Sequence, residues 1–131
     1  MLFLSPIYSS VLIVLIIFLA YRVTLFRRAE GIPIGDTGCS KAMKRAIRTH
    51  ANSVENIPLA ILLLMILELN NLAPWLLHSC GSVLVLSRFS YAWGMYRQEG
   101  LSPGRFLGTL FTWLCLLLMV AINVLLVFTR V

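Results

Sequence analysis

Four long apolar stretches, separated by short polar connections, set the pattern of this chain of 131 residues. An α-helix needs ~20 predominantly apolar residues to cross the hydrocarbon core of a bilayer, and the first stretch reaches that length before its first charge, Arg22. The pattern predicts an all-α fold, a bundle of four transmembrane helices in a single membrane domain over residues 1–131. The predicted spans are about residues 6–26, 41–69, 75–95 and 105–128.

Composition supports a membrane location. Hydrophobic residues make up 60% of the chain and charged residues only 12%, with a mean hydropathy of +0.91, whereas soluble domains carry about 25% charged residues. The net charge of +6 lies at the ends of the spans rather than in a soluble basic module. We therefore expect membrane lipids, and no nucleic acid, as partners.

The basic residues also predict the orientation of the spans. The loop between the second and third spans has no Lys or Arg, and the N-terminus has none before Arg22. Because cytoplasmic loops are enriched in Lys and Arg, loops one and three should be cytoplasmic and both termini should lie on the opposite side. The residues that carry this signal are Arg22, Arg27, Arg28, Lys41, Lys44, Arg45 and Arg48 around loop one, with Arg97 and Arg105 around loop three.

The three cysteines, Cys39, Cys80 and Cys115, lie far apart in the sequence. None belongs to a C-x-x-C motif or has a histidine at metal-ligand spacing. The odd count and the apolar surroundings of two of them predict free thiols that pack as small hydrophobes. We expect neither a disulfide nor a metal site.

A polar motif interrupts the second apolar stretch. Arg48, Asn52 and Glu55 are spaced i, i+4, i+7 and share one helix face, with Arg45 one turn earlier. A carboxylate that enters the hydrocarbon region is unfavourable unless it is paired, so it marks a candidate functional site. The residues alone leave two interpretations open, a ligand site or a polar network that holds an oligomer together.

Polar residues in the third and fourth spans complete this candidate site. Arg88 and Tyr91 are spaced i and i+3, and Arg105 begins the last predicted span. Each has a simpler alternative: Arg88 as a structural partner of Glu55, Tyr91 as an interfacial aromatic, and Arg105 as an anchor to lipid headgroups.

The motif RAIRTHANSVENIP at residues 45–58, together with four spans in a chain of this length, resembles the MAPEG family (membrane-associated proteins in eicosanoid and glutathione metabolism), and most closely its short bacterial branch. Weaker similarities lie in the other segments. They are Arg27-Arg28, the Gly-Asp-x-Gly pattern at 35–38, Arg-x-x-Tyr at 88–91, and Pro-Gly-Arg at 103–105.

The resemblance implies a homotrimer of four-helix subunits in a bacterial inner membrane, with glutathione as co-substrate and no metal. It implies that Arg105 activates the thiol. Residues that would contact glutathione are Arg48, Asn52, Glu55 (toward its amino group), Tyr91, Arg45 and Arg88. An arginine from the first span also joins the family's site, and Arg22, Arg27 and Arg28 all remain candidates. Met95 stands where some members have a second tyrosine.

The expected activity is that of a membrane-bound glutathione transferase, with possible peroxidase action, in which a lipophilic electrophile or hydroperoxide is attacked. A thiolate is the nucleophile in such reactions, and a nearby guanidinium lowers a thiol pKa. One alternative is a non-catalytic, lipid-binding or scaffolding member of the family. A small four-span transporter is less favoured, because such exporters need a carboxylate in the first span and this one has none.

Overall fold

The computed structural model describes residues 2–97, 100 and 102–129, which form four α-helices and no strand. The all-α, four-helix prediction is confirmed. The helices are α1 (Ser5–Glu30), α2 (Lys41–Leu69), α3 (Pro74–Arg97) and α4 (Pro103–Phe128). Within the described residues, α1, α2 and α4 are each long and apolar enough to cross a membrane, and α3 is not among these candidate spans.

Serine caps begin the two helices that carry most of the polar motif. The Ser40 hydroxyl accepts the backbone N–H of Met43 at 3.1 Å, and the Ser102 hydroxyl accepts that of Arg105 at the same distance. Each cap satisfies a backbone donor that the first turn of a helix leaves free. The first turn of α4, and with it Arg105, is therefore fixed in place.

The first turn of α1 has a different cap, because Leu4 at the cap position has no side-chain acceptor. The carboxylate of Glu68, in the last turn of α2, accepts the backbone N–H groups of Phe3 (2.6 Å), Leu4 (2.7 Å) and Ser5 (2.8 Å) instead. A carboxylate at a helix N-terminus is also favoured by the helix dipole. This contact ties α1 to α2 at the end of the bundle opposite to loop one.

The helices pack in a defined order. The most extensive contact joins α3 and α4, α1 packs chiefly on α2, and α2 contacts all three other helices. Leucines dominate the core and come from every helix except α4, which contributes Cys115 and Met119. The outer surface is apolar as well, with large exposed residues such as Phe18, Leu62 and Leu117, as expected for a protein that is solvated by lipid.

Candidate functional site

A polar cavity of about 370 Å³ lies at the end of the bundle that carries loops one and three, between α2, α3 and α4. It brings together five of the residues that the sequence predicted: Arg45, Arg48, Asn52, Tyr91 and Arg105. Residues that the sequence analysis did not assign to the site complete the lining, and these are Lys44, Met95 and Thr109. We call this cavity the anion pocket because of its charge, described below.

The three additional residues follow from helical periodicity. Lys44 lies four residues before Arg48, and Thr109 lies four residues after Arg105, so each shares a helix face with a predicted residue. Met95 lies one turn beyond Tyr91 on α3. Residues about one helical turn from the predicted site residues could therefore have been predicted to line the site as well.

The lining of the anion pocket is strongly basic. Lys44, Arg45 and Arg48 come from α2 and Arg105 from α4, and no Asp or Glu is among the lining residues. A concave site with charges of one sign and low-dielectric walls concentrates ligands of the opposite sign. Arginine guanidinium groups are also well shaped for bidentate contact with carboxylates.

Arg88 lies beneath the pocket and does not line it. Its side chain is only 1% exposed, and it donates to the side-chain oxygens of Asn52 (2.9 Å) and Ser53 (3.0 Å). The alternative that Arg88 pairs with Glu55 is wrong, because Asn52 and Ser53 occupy the face of α2 that meets α3. Direct ligand contact by Arg88 is excluded in this arrangement by its burial.

Buried charge of this kind is unfavourable unless it is compensated. Among the described residues, the Nε atom of Arg88 is buried and has no hydrogen-bond partner, and its Nη2 atom donates to neutral oxygens. The ring of Tyr91 lies 4.7 Å from the guanidinium carbon and adds a cation–π contact. Arg88 thus holds Asn52 and Tyr91 and adds positive potential behind the anion pocket.

Tyr91 is the point at which the predicted residues converge. It is 6% exposed, and Arg88, Arg105, Arg48 and Glu55 all lie within electrostatic range of its hydroxyl. Glu55 is exposed and does not line the pocket. The acid predicted for the site therefore lies at its edge, facing outward from the chain.

Glycines set the distance between Arg105 and Tyr91. A Cβ atom on Gly94 would lie 2.4 Å from the backbone nitrogen of Arg105, and one on Gly108 would lie 2.6 Å from the backbone nitrogen of Tyr91. Real side chains do not fit at such distances, so α3 and α4 approach backbone to backbone here. This close contact brings the first turn of α4 against the pocket face of α3.

All three candidate arginines at the end of α1 lie outside the lining of the anion pocket. Arg27 donates to the carbonyl oxygens of Ile32 and Gly35, both at 3.2 Å, and so stabilises loop one. Arg28 is exposed.

Arg22 lies nearer. Together with Arg45 and Met95, which also line the anion pocket, it lines a small cavity of about 100 Å³. Its guanidinium carbon lies 4.6 Å from the centre of the Tyr96 ring. Of the three candidates, Arg22 is the one adjacent to the site.

No cluster of His, Cys, Asp or Glu suited to a metal ion occurs in the described part of the chain. The three thiols are free and buried.

Comparison with known proteins identifies the family. Residues 5–125 match the model of the MAPEG family. The chain belongs to the MAPEG family. Its resemblance to that family is thus confirmed, and the four helices are those of a four-helix membrane bundle. Curated relatives include the "Inner membrane protein YecN" of Escherichia coli strain K12 and of E. coli O6:H1, each 35% identical over 119 residues, which cover 91% of this chain and 88% of the relative.

Proposed function

We propose that this MAPEG member binds glutathione in the anion pocket and ionises its thiol for attack on lipophilic electrophiles or hydroperoxides. The observation that carries the proposal is the charge of the cavity, in which four cations from α2 and α4 meet without a carboxylate in the lining. Its volume of about 370 Å³ falls within the range of about 300–1,000 Å³ that is usual for small-molecule sites.

Glutathione fits this charge pattern. The tripeptide has two carboxylates and one ammonium group, so it is a net anion. The carboxylates would pair with Lys44, Arg45 and Arg48, and the ammonium group would pair with Glu55 at the edge of the site. Asn52 and Tyr91 would offer further polar atoms to the tripeptide. Arg88 contacts both side chains and so holds them in position.

Arg105 is assigned the chemical role. The thiolate is the reactive form of a thiol. The pKa of a free cysteine thiol is about 8.5, and a neighbouring cationic group lowers it. Arg105 lies in the first turn of α4 and is exposed at the pocket, so its guanidinium can stabilise a sulfur anion. In conjugation, this anion forms a C–S bond with the electrophile as the leaving group departs with its electron pair.

Assembly as a homotrimer is part of the proposal. Glu55 shares an exposed stripe of α2 with Leu59 and Leu62, which are 57% and 56% exposed. A carboxylate that faces acyl chains is strongly unfavourable. Neighbouring copies of the chain would cover this stripe and place Glu55 in a subunit interface next to the anion pocket.

The inner membrane of a bacterium, with loops one and three in the cytoplasm, suits this activity. The curated relatives are named as inner membrane proteins, and the positive-inside rule favours that orientation. The anion pocket would then open toward the cytoplasm, where glutathione sets the thiol redox poise.

Turnover by detergent-purified protein tests the proposal. We expect the wild type to conjugate glutathione to an aryl halide or to reduce an organic hydroperoxide. The rate should fall about a hundredfold in Arg105→Ala, because removing one donor to a developing anion has an effect of this size in other enzymes. Arg97→Ala is the matched control, because Arg97 is an exposed arginine that packs on Trp93 at 4.5 Å and does not line the pocket. Absence of turnover in the wild type with both substrates would refute the enzyme assignment.

A non-catalytic role is the second candidate. Met95 lines the pocket where some family members offer a tyrosine, which removes one polar contact to the tripeptide. Under this alternative, glutathione gives no thermal protection to the wild type or to Arg105→Ala. Protection of the wild type that is lost in Arg105→Ala would instead favour the enzyme.

A further inference from the structure

A groove of about 600 Å³ runs between α1 and α3 on the outside of the bundle. No residue lines both this groove and the anion pocket. We call it the α1–α3 groove. Its lining consists of Leu15, Phe18, Leu19, Tyr21, Arg22, Leu25, Phe89, Ala92, Trp93 and Tyr96.

One cation lies in this otherwise uncharged lining. Arg22 stacks on the rings of Tyr96 (4.6 Å) and Phe26 (6.0 Å). Stacking uses the flat face of a guanidinium and leaves its N–H donors at the edge. Within the described part of the chain, no acceptor bonds to the Arg22 guanidinium. The groove therefore has an apolar wall and donors that remain available at one end.

The dimensions match one acyl chain. From Arg22 to Leu15 the groove follows α1 for about 10 Å, which lies within the ~15 Å depth of one leaflet of the hydrocarbon core. The groove has a volume of about 600 Å³.

We propose that the α1–α3 groove binds an anionic phospholipid, with one acyl chain along the apolar wall and the phosphate at Arg22. Charge complementarity decides in favour of an anionic headgroup. Besides Arg22, Arg97 lies at the same rim, stacked on Trp93 at 4.5 Å, and no Asp or Glu lines the groove. Tyr21 and Tyr96 flank the headgroup position, where amphipathic rings are favoured.

The lipid site does not rest on the proposed thiol chemistry, although Arg22 also lies next to the anion pocket. A glutathione-binding protein without a lipid site, or a lipid-binding protein without thiol chemistry, would each leave the other proposal standing. The two sets of variants do not overlap.

Fluorescence quenching by lipids with brominated acyl chains tests the lipid site directly. Trp93 lines the groove, and replacing Trp75 and Trp113 by Phe leaves it as the single reporter. The protein is placed in bilayer nanodiscs with a small fraction of brominated phosphatidylglycerol or brominated phosphatidylcholine. We expect phosphatidylglycerol to be enriched about fivefold at Trp93, the scale of one cation–headgroup attraction.

Three variants distinguish a defined lipid site from non-specific attraction of anionic lipids to surface cations. Arg22→Gln removes the headgroup contact and should abolish the preference for phosphatidylglycerol. Arg28→Gln is the matched control, because Arg28 is an exposed arginine on the same helix and outside the groove, and it should keep the preference. Ala92→Leu adds volume to the groove wall and should lower the preference although Arg22 is intact.

The proposal is overturned if the wild type shows no preference, or if Arg28→Gln loses as much preference as Arg22→Gln. A preference that survives Ala92→Leu would mean headgroup attraction without a seated chain, which also overturns it. Native mass spectrometry of Arg22→Gln covers the remaining case: a change in subunit number, rather than in bound lipid, would mean that a second copy of the chain fills the groove.

Discussion

Arg88 keeps a guanidinium inside the bundle although its hydrogen bonds go to the neutral oxygens of Asn52 and Ser53. Breaking one side of such a contact leaves a charge without its partner, whereas removing the charge itself removes the penalty of burying it. Stability and ligand binding should therefore respond differently to substitutions at these positions.

Replacing Asn52, the hydrogen-bond partner, should destabilise the protein more than replacing the charged Arg88. We expect Asn52→Ala to lower the free energy of unfolding by about 2 kcal/mol, since it leaves a buried donor unsatisfied. Arg88→Met should change it by less than about 1 kcal/mol, because an apolar side chain of similar length takes the place of a desolvated cation. Unfolding of the detergent-solubilised protein by denaturant measures both.

Arg88→Met should nevertheless abolish thermal protection by glutathione, because Asn52 and Tyr91 lose the group that orients them. If Arg88→Met is more destabilising than Asn52→Ala, the buried charge is a net source of stability and this interpretation fails.

The sequence predicted which side chains gather at the site better than it predicted how they pair. The i, i+4, i+7 spacing placed Arg48 and Asn52 on one face of α2, and both line the pocket. The partner of Arg88 depends on how α2 is rotated toward α3. Since Asn52 and Glu55 lie within one helical turn of each other, no local sequence pattern shows which of the two is the partner of Arg88.

At the level of elements, the contact between α3 and α4 determines the geometry of the site. Gly94 and Gly108 allow the two backbones to touch, and this contact sets Arg105 beside the face that carries Tyr91. Small residues in the third span indicate close packing in a membrane, but they do not identify the helix that approaches.

Adding one methyl group should separate these helices. A Cβ on Gly108 would lie 2.6 Å from the carbonyl oxygen of Ser87 and from the backbone nitrogen of Tyr91, and neither backbone atom can move aside. We expect Gly108→Ala to cost about 2 kcal/mol of unfolding free energy and to weaken glutathione binding. Gly100→Ala is the control, since its Cβ meets nothing within 4 Å.

Equal stability and equal glutathione binding for these two alanine variants would show that α3 and α4 tolerate separation, contrary to this account.

The helices themselves followed closely from the sequence. Apolar length predicted four of them, and α2 has the predicted bounds of 41–69. The first helix continues beyond the predicted residue 26 to Glu30, because its basic last turn lies outside the apolar pattern but favours a helix C-terminus. The cap of α1 by Glu68 was not predictable, since it joins residues more than sixty positions apart.

At the scale of the whole molecule, the proposed trimer would cover the exposed Glu55 with a partner surface. We expect native mass spectrometry to give three times the chain mass of 14.7 kDa. A cysteine at Leu62, on the stripe that contains Glu55, should form a disulfide between subunits when the native cysteines are replaced by alanine. A cysteine at Leu117, which is 66% exposed on α4, is the control and should not.

A mass of one chain, or cross-linking at Leu117 alone, would contradict this assembly.

The central claim is that the anion pocket binds glutathione as its thiolate, and ultraviolet absorbance of the thiolate tests it most directly. When glutathione is titrated into the purified protein at neutral pH, we expect a saturable rise in that absorbance. It should be absent with S-methylglutathione, much reduced in Arg105→Ala and unchanged in Arg97→Ala. If glutathione gives no saturable rise, or if Arg105→Ala gives the same rise as the wild type, the claim is contradicted.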